Sequence, residues 1–184
     1  MKKIFISILL LICSSLAFSI DWKLENGELF INGEGAIPNF ENEESTPWYN
    51  VNDEIIFVKI GEGITAIGDN AFKNCRNIKF VDIADTVNYI GNSCFENCSD
   101  YKTIIIPDSV VTIGEKAFYN YDYNYVRIGN GVQSIGSKAF NTDDWIVDTI
   151  DSIVIPDETI IAEDSFVSTI KVIRRASIKR GGKL

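Results

Sequence analysis

The sequence predicts a mainly β solenoid of the α/β class. About five coils of 22–26 residues stack so that their strands form a parallel sheet, and a β-hairpin caps the N-terminal end. Three observations predict it. One short motif recurs five times at near-constant spacing. Each copy follows a strand-like run with the same apolar pattern. A turn follows every run, with glycine or proline in four of the five. Repetition at this period marks a row of stacked units rather than a globule with one central core.

The motif copies are Ile67-Gly68-Asp69-Asn70-Ala71-Phe72, Ile90-Gly91-Asn92-Ser93-Cys94-Phe95, Ile113-Gly114-Glu115-Lys116-Ala117-Phe118 and Ile135-Gly136-Ser137-Lys138-Ala139-Phe140. A degenerate fifth is Ile161-Ala162-Glu163-Asp164-Ser165-Phe166. From one phenylalanine to the next the steps are 23, 23, 22 and 26 residues. The strand-like runs are 55–60, 78–83, 101–106, 123–128 and 150–155, apolar at their first, fourth and sixth positions. Turns follow at Gly61-Glu62-Gly63, Ala84-Asp85, Pro107-Asp108, Gly129-Asn130-Gly131 and Pro156-Asp157; in all but the second, glycine or a fixed proline φ lets the chain bend. An aliphatic residue then leads back to the motif: Ile64, Val87, Val110, Val132 and Ile160. One coil cannot bury its own apolar side, so neighbours must share a core with strands about 4.8 Å apart. The motif phenylalanine plugs each coil, and the small residue before it leaves room in a crowded layer.

The chain resembles the BspA-like leucine-rich repeats of surface proteins. The five Ile-Gly-x-x-Ala-Phe-like blocks and Pro107-Asp108-Ser109-Val110 carry the resemblance, over about 55–166. A unit of about 23 residues lies within the range of leucine-rich repeats. The resemblance implies a repeat array and protein ligands such as host matrix proteins, other cells or other surface components. The segment before the array fits it too. Asn26-Gly27 is a hairpin turn between Trp22-Lys23-Leu24 and Glu28-Leu29-Phe30-Ile31, and Pro47-Trp48-Tyr49 follows. Trp22, Phe30 and Trp48 are expected in the core of this cap.

The organisation is then a leader at 1–19, a hairpin and capping segment at 20–54, repeats at 55–173 and a basic tail at 174–184. Lys2 and Lys3, the apolar run 4–12 and the small residues Ala17 and Ser19 form a secretory pattern, with cleavage expected after Ser19. The run is too short for a membrane span, which needs about 20 apolar residues. Ile12 argues against lipid attachment at Cys13. The expected destination is secretion or the cell surface, with no transmembrane span after cleavage.

Without the leader, 15 basic and 26 acidic residues leave a net charge of −11. Residues 171–184 hold six basic residues and no acid, so 20–170 carry −17. A body this acidic argues against nucleic acid, whose phosphates it repels. The composition, 46% hydrophobic and 23% charged over 184 residues, is that of a folded chain.

No histidine occurs, which removes histidine-based triads and zinc sites. Past the leader the cysteines are Cys75, Cys94 and Cys98. Cys75 and Cys98 each lie three residues after a motif phenylalanine and should stack in adjacent coils. Buried thiols, a Cys75–Cys98 disulfide and a three-thiolate metal site all remain open on spacing alone. Asp143, Asp144 and Asp148 form a dense acidic loop without the alternation of a calcium loop. Asn97-Cys98-Ser99 is a glycosylation sequon placed in a packed coil. No pair of carboxylates stands out for acid–base work, so no catalytic, cofactor or metal residue is assigned and the protein is read as non-enzymatic.

The functional candidate is a surface. Strand positions three and five should face away from the core, on the concave side. Position three holds Phe57, Phe80, Thr103, Tyr125 and Ser152, and position five holds Lys59, Asp82, Ile105, Arg127 and Val154. Exposed aromatics near arginine form an interface composition. The lead-in segment could instead cover them. The functions weighed are a protein-binding adhesion module, or a structural spacer that self-associates end to end.

Overall fold

The computed structural model describes residues 20–98, 103–120, 123, 125–142, 152–166, 168 and 170–175. The leader, Ser99 of the sequon, Tyr101, the Asp143/Asp144/Asp148 loop and the tail from 176 onward lie outside the described residues.

The described residues open with the expected hairpin. Strand β1 (Ile20–Glu25) pairs antiparallel with β2 (Glu28–Gly33). The two-residue turn places Asn26 at φ 52° and Gly27 at φ 84°, the left-handed pair that matches the twist of a tight hairpin. A short strand β3 (Gly35–Ile37) and two 3₁₀ segments, Glu43–Ser45 and Tyr49–Glu54, lead to the repeats.

Each coil then contributes two strands. They are β4 (Phe57–Ile60) with β5 (Ile64–Ile67), β6 (Phe80–Ile83) with β7 (Tyr89–Ile90), and β8 (Thr103–Ile105) with β9 (Thr112–Ile113). Next come β10 (Tyr125–Arg127) with β11 (Ser134–Ile135) and β12 (Ser152–Pro156) with β13 (Ile160–Ile161). A last strand, β14 (Lys171–Arg175), pairs parallel with β12. The longer strands build one side of the row in hydrogen-bonded groups β1-β2-β4-β6, β8-β10 and β12-β14. The shorter ones build a six-stranded sheet in the order β13-β11-β9-β7-β5-β3. This second ribbon is an addition to the sequence reading, which took 64–67 and its equivalents as connections. The fold is a mostly β solenoid, and no α-helix occurs among the described residues.

The motif forms the third side of each coil. Its second variable residue sits in the left-handed region: Asn70, Ser93, Lys116 and Lys138 have φ between 50° and 59°. Asn74, Asn97 and Asn120, two residues past the phenylalanine, do the same at 54° to 60°. Asparagine tolerates this conformation better than most residues. The bends turn backbone groups along the row. Phe72 N–H donates to the Cys94 carbonyl, Phe95 to Ala117, and Phe118 to Ala139, each at 2.8 Å; Phe140 donates to Ser165 at 2.7 Å. Side chains repeat the pattern. Asn97 Nδ2 donates to Asn74 Oδ1 at 2.8 Å and Asn120 Nδ2 to Asn97 Oδ1 at 3.1 Å.

Inside, the aromatic rings form one column. Phe72, Phe95, Phe118, Phe140 and Phe166 follow one another at centroid separations of 5.1–5.3 Å, tilted by only 5–11°. The degenerate fifth motif is therefore a genuine coil. Trp48 heads the column, stacked on Phe72 at 5.2 Å, and its Nε1–H donates to the Ala71 carbonyl at 2.8 Å. Trp22 and Phe40 meet Trp48 edge-on and close this end. Of the three expected cap residues, Trp48 is buried while Trp22 and Phe30 are half-buried.

The motif glycine sets how near the coils come. A Cβ on Gly114 would lie 2.7 Å from the Asn92 backbone nitrogen, and one on Gly91 would lie 2.6 Å from that of Asp69. Where the last coil has Ala162 instead, the bond to the coil before lengthens. Gly91, Gly114 and Gly136 donate at 2.8, 2.8 and 2.9 Å, whereas Ala162 donates to Ile135 at 3.1 Å. The buried place that Ile64, Val87, Val110 and Val132 fill is taken in the last coil by Thr159, whose N–H donates to the Pro156 carbonyl at 3.2 Å, and not by Ile160, which pairs with Ser134 on the terminal strand and is 75% exposed.

Cys75, Cys94 and Cys98 are free and buried. Cys98 Sγ donates to the Phe72 carbonyl at 3.1 Å. Burial pushes the Cys75 thiol up to about 12, with Asp53 and Glu43 adding to it. Burial also raises Cys94 and Cys98 well above the ordinary value. Among the described residues no helix is long and apolar enough to cross a membrane.

Two predictions follow from this packing. Phe118→Ala should cost about 3–5 kcal/mol in a denaturant titration, and a loss below about 1 kcal/mol would contradict the column. Gly114→Ala, which must push one coil off the next, should cost about 1–3 kcal/mol. A third concerns the thiols. The unfolded chain releases the Cys75 proton near pH 9.0 while the folded chain keeps it to about 12, and burial shifts Cys94 and Cys98 in the same direction. Stability from this source is complete below pH 9 and is lost as pH rises towards 12. Native protein at pH 8 should leave all three thiols unmodified by a thiol reagent, and unfolding without reductant should release Cys75 and Cys98 as free thiols. A need for reductant would mean that they are bonded.

Candidate partner-binding face

Alternation along the first-sheet strands divides side chains into core and outward sets. In β4, Val58 and Ile60 are buried and Phe57 and Lys59 are exposed. In β12, Ile153 and Ile155 are buried and Val154 is exposed. Parallel pairing in register lines the outward residues into columns. Phe57 lies beside Phe80 and Lys59 beside Asp82; Thr103 lies beside Tyr125 and Ile105 beside Arg127. β14 continues both columns, with Lys171 beside Ser152 and Ile173 beside Val154.

The three aromatics of this face reach solvent. Tyr125 is 54% exposed, Phe57 42% and Phe80 39%. Thr103 and Ser152 are half-buried, while Ile105 and Val154 are exposed. The lead-in segment does not lie over this face. β2 joins the sheet edge-on beside β4, so Glu28 pairs with Phe57 and Phe30 with Lys59. It lengthens the columns instead of hiding them.

Charges on the face are partly paired. Lys59 Nζ stands 3.9 Å from Asp82 Oδ2, both well exposed, so the pair is weak. Arg127 is held more firmly. Its Nη2 donates to Asp108 Oδ1 at 3.0 Å and its Nη1 to the Ile106 carbonyl at 3.3 Å. Asp108 also accepts from the backbone and side-chain N–H groups of Asn130, at 2.9 and 3.0 Å. Those Asn130 bonds, with Arg127 adding its charge, hold the Asp108 carboxyl below the ordinary carboxylate value.

Between β6 and β8 the face holds an open groove of about 470 Å³. Phe80, Asp82, Ile105 and Arg127 line it, and so do the turn residues Asp85 and Asp108. The sequence pattern marked the first four. It read the turns only as bends and missed that they stack too. The available signal was the 22-residue step from Asp108 to Asn130, the same as one coil. Among the described residues no group of three His, Cys, Asp or Glu side chains stands close enough to hold a metal.

Two solved leucine-rich repeat structures share the architecture. A leucine-rich repeat protein from Eubacterium ventriosum is 25% identical, with a TM-score of 0.53 over 79% of this chain and 42% of that one. One from Bacteroides ovatus is 18% identical, with a TM-score of 0.55 over 89% of this chain and 54% of that one. A leucine rich cell surface protein from Faecalibacterium prausnitzii is 21% identical, with a TM-score of 0.47 over 85% and 53%. The chain thus spans about half the length of these solved relatives. No curated protein matches it. The family described as BspA type leucine rich repeat region matches residues 48–173 in six copies, beginning at the tryptophan that heads the ring column. The chain belongs to the BspA-type leucine-rich repeat family.

Proposed function

We propose that the protein is exported, through the leader pattern at 1–19, and works outside the cytoplasm as a protein-binding adhesion module. Its family is a leucine-rich repeat scaffold, and stacked repeats of this kind present extended surfaces suited to protein–protein contact. One observation carries the reading for this chain: Phe57, Phe80 and Tyr125 stand exposed on one strand face, beside Lys59, Asp82 and Arg127. Large apolar rings cost free energy in water and regain it when a partner covers them. The strands beneath them are short and paired in register with a neighbouring coil, β4 with β6 and β8 with β10, so the face is presented with little ordering cost on binding.

The partner is a protein with apolar side chains to meet the rings and polar groups to meet Lys59, Asp82 and Arg127. Thr103, Ile105, Ser152 and Val154 complete the contact surface. A spacer with no receptor is the rival, and it predicts no saturable binding to any surface.

A screen of purified protein against matrix proteins and against host and bacterial cell surfaces should find a saturable partner. The Phe80→Ala/Tyr125→Ala double variant should then bind it at least about tenfold more weakly, a loss of about 1.4 kcal/mol or more. Its thermal midpoint should stay close to that of the parent, because both rings lie outside the core. Unchanged affinity in a folded double variant removes this face from the function.

A further inference from the structure

The two ends of the row carry opposite charge. Residues 20–54, which form the capped end, hold nine acidic side chains and one basic, a net −8. The last described strand, Lys171–Arg175, holds three basic side chains, Lys171, Arg174 and Arg175, and no acid. Each end also presents a strand that pairs on one side only among the described residues: β1 with β2, and β14 with β12. A strand edge of this kind is a template for another chain. The last coil leaves Ile160 75% and Ile173 39% exposed.

We propose that the protein assembles head to tail, the β14 edge of one copy adding antiparallel to the β1 edge of the next. The pleat restricts how the strands can meet. On β14 the outward residues are Lys171, Ile173 and Arg175, which lie beside Ser152, Val154 and Pro156. On β1 they are Asp21, Lys23 and Glu25, all exposed, while Trp22 and Leu24 lie beside the buried Ile31 and Leu29. Outward residues must meet outward residues if the core side is to stay continuous.

In one register Lys171 faces Glu25 and Arg175 faces Asp21, and Val172 faces Leu24 on the core side. Sliding the strands by two residues either way sets Lys171 or Arg175 against Lys23. Like charges directly opposite are unfavourable, so the charge pattern selects the first register. The same rule works against two-fold joins. Two antiparallel β14 strands centred on Ile173 place Lys171 against Arg175, and two β1 strands centred on Lys23 place Asp21 against Glu25. The existing Lys23–Glu25 pair, 2.7 Å apart and more than half exposed, is too weak to compete strongly. The join is heterologous and leaves a fresh edge at each end, so it builds an open row. It also carries Ile160 of β13 towards β3 of the next copy and repeats the exposed face at regular intervals, which multiplies weak contacts into avidity.

Sedimentation velocity across a range of protein concentrations tests this. At about 0.02 M salt the sedimentation coefficient should rise with concentration without levelling at a dimer, and at about 0.5 M salt the protein should return towards monomer. Lys171→Glu/Arg175→Glu should stay monomeric at low salt, and so should Asp21→Lys/Glu25→Lys. All four changes in one chain exchange the signs and should restore the assembly. Phe80→Ala/Tyr125→Ala should assemble as the parent does, so this proposal and the binding face fail separately. A monomer at every concentration in low salt overturns the proposal, as does an association that stops at a dimer or ignores the charge reversals.

Discussion

How closely one coil can approach the next governs the whole molecule. Rings about 5 Å apart and nearly parallel are in contact only at this spacing, and backbone hydrogen bonds on all three sides of the coil demand the same distance. Glycine at the second motif place permits it, because a methyl group there would meet the backbone of the preceding coil. Dispersion between stacked rings, burial of the aliphatic strand residues and the ladder bonds all depend on that spacing. The last coil keeps it despite Ala162, with Phe166 stacked on Phe140 at 5.3 Å.

The functional face follows from that spacing. With the core residues of each strand held in register, the residues between them have nowhere to go but outward, in columns one coil apart. This is why Phe57 and Phe80 become neighbours although 23 residues separate them. The groove beside them needs a further layer. Turns must stack as well as strands, so that Asn130 can reach Asp108 and Asp108 can hold Arg127. A coil added or lost elsewhere would leave this local arrangement intact, since each unit contacts mainly its neighbours.

The ends obey different physics from the middle. At the start, Trp22 and Phe40 set their edges against Trp48 and stop the ring column. At the finish, Phe166 still stacks on Phe140, but the last coil keeps Ile160 in the open and carries a basic strand. One end is closed in its core and acidic at its edge, while the other is apolar and basic. The asymmetry is a property of single residues outside the repeat pattern.

Repetition made the row legible in the sequence. Five phenylalanines at steps of 22–26 residues, the apolar alternation of each run and Asn26-Gly27 determined the coils, the first sheet, the hairpin and which side chains face outward. These are local or periodic properties, and period alone assigns a side chain to a face. Other features required the coils to be in contact. The second sheet rests on strands of two to four residues, too short to show an alternation, and exists because neighbouring coils supply the partners. Trp48 lies 24 residues before Phe72, yet only stacking shows that it is the first ring of the column and not just part of a cap. The left-handed backbone at Lys116 and Lys138 runs against the preference of lysine and is imposed by the ladder. The same holds for the turn residues of the groove and for the free thiols. Sequence spacing brought Cys75 and Cys98 to one layer, but the packing around each sulfur decided that they stay apart and protonated.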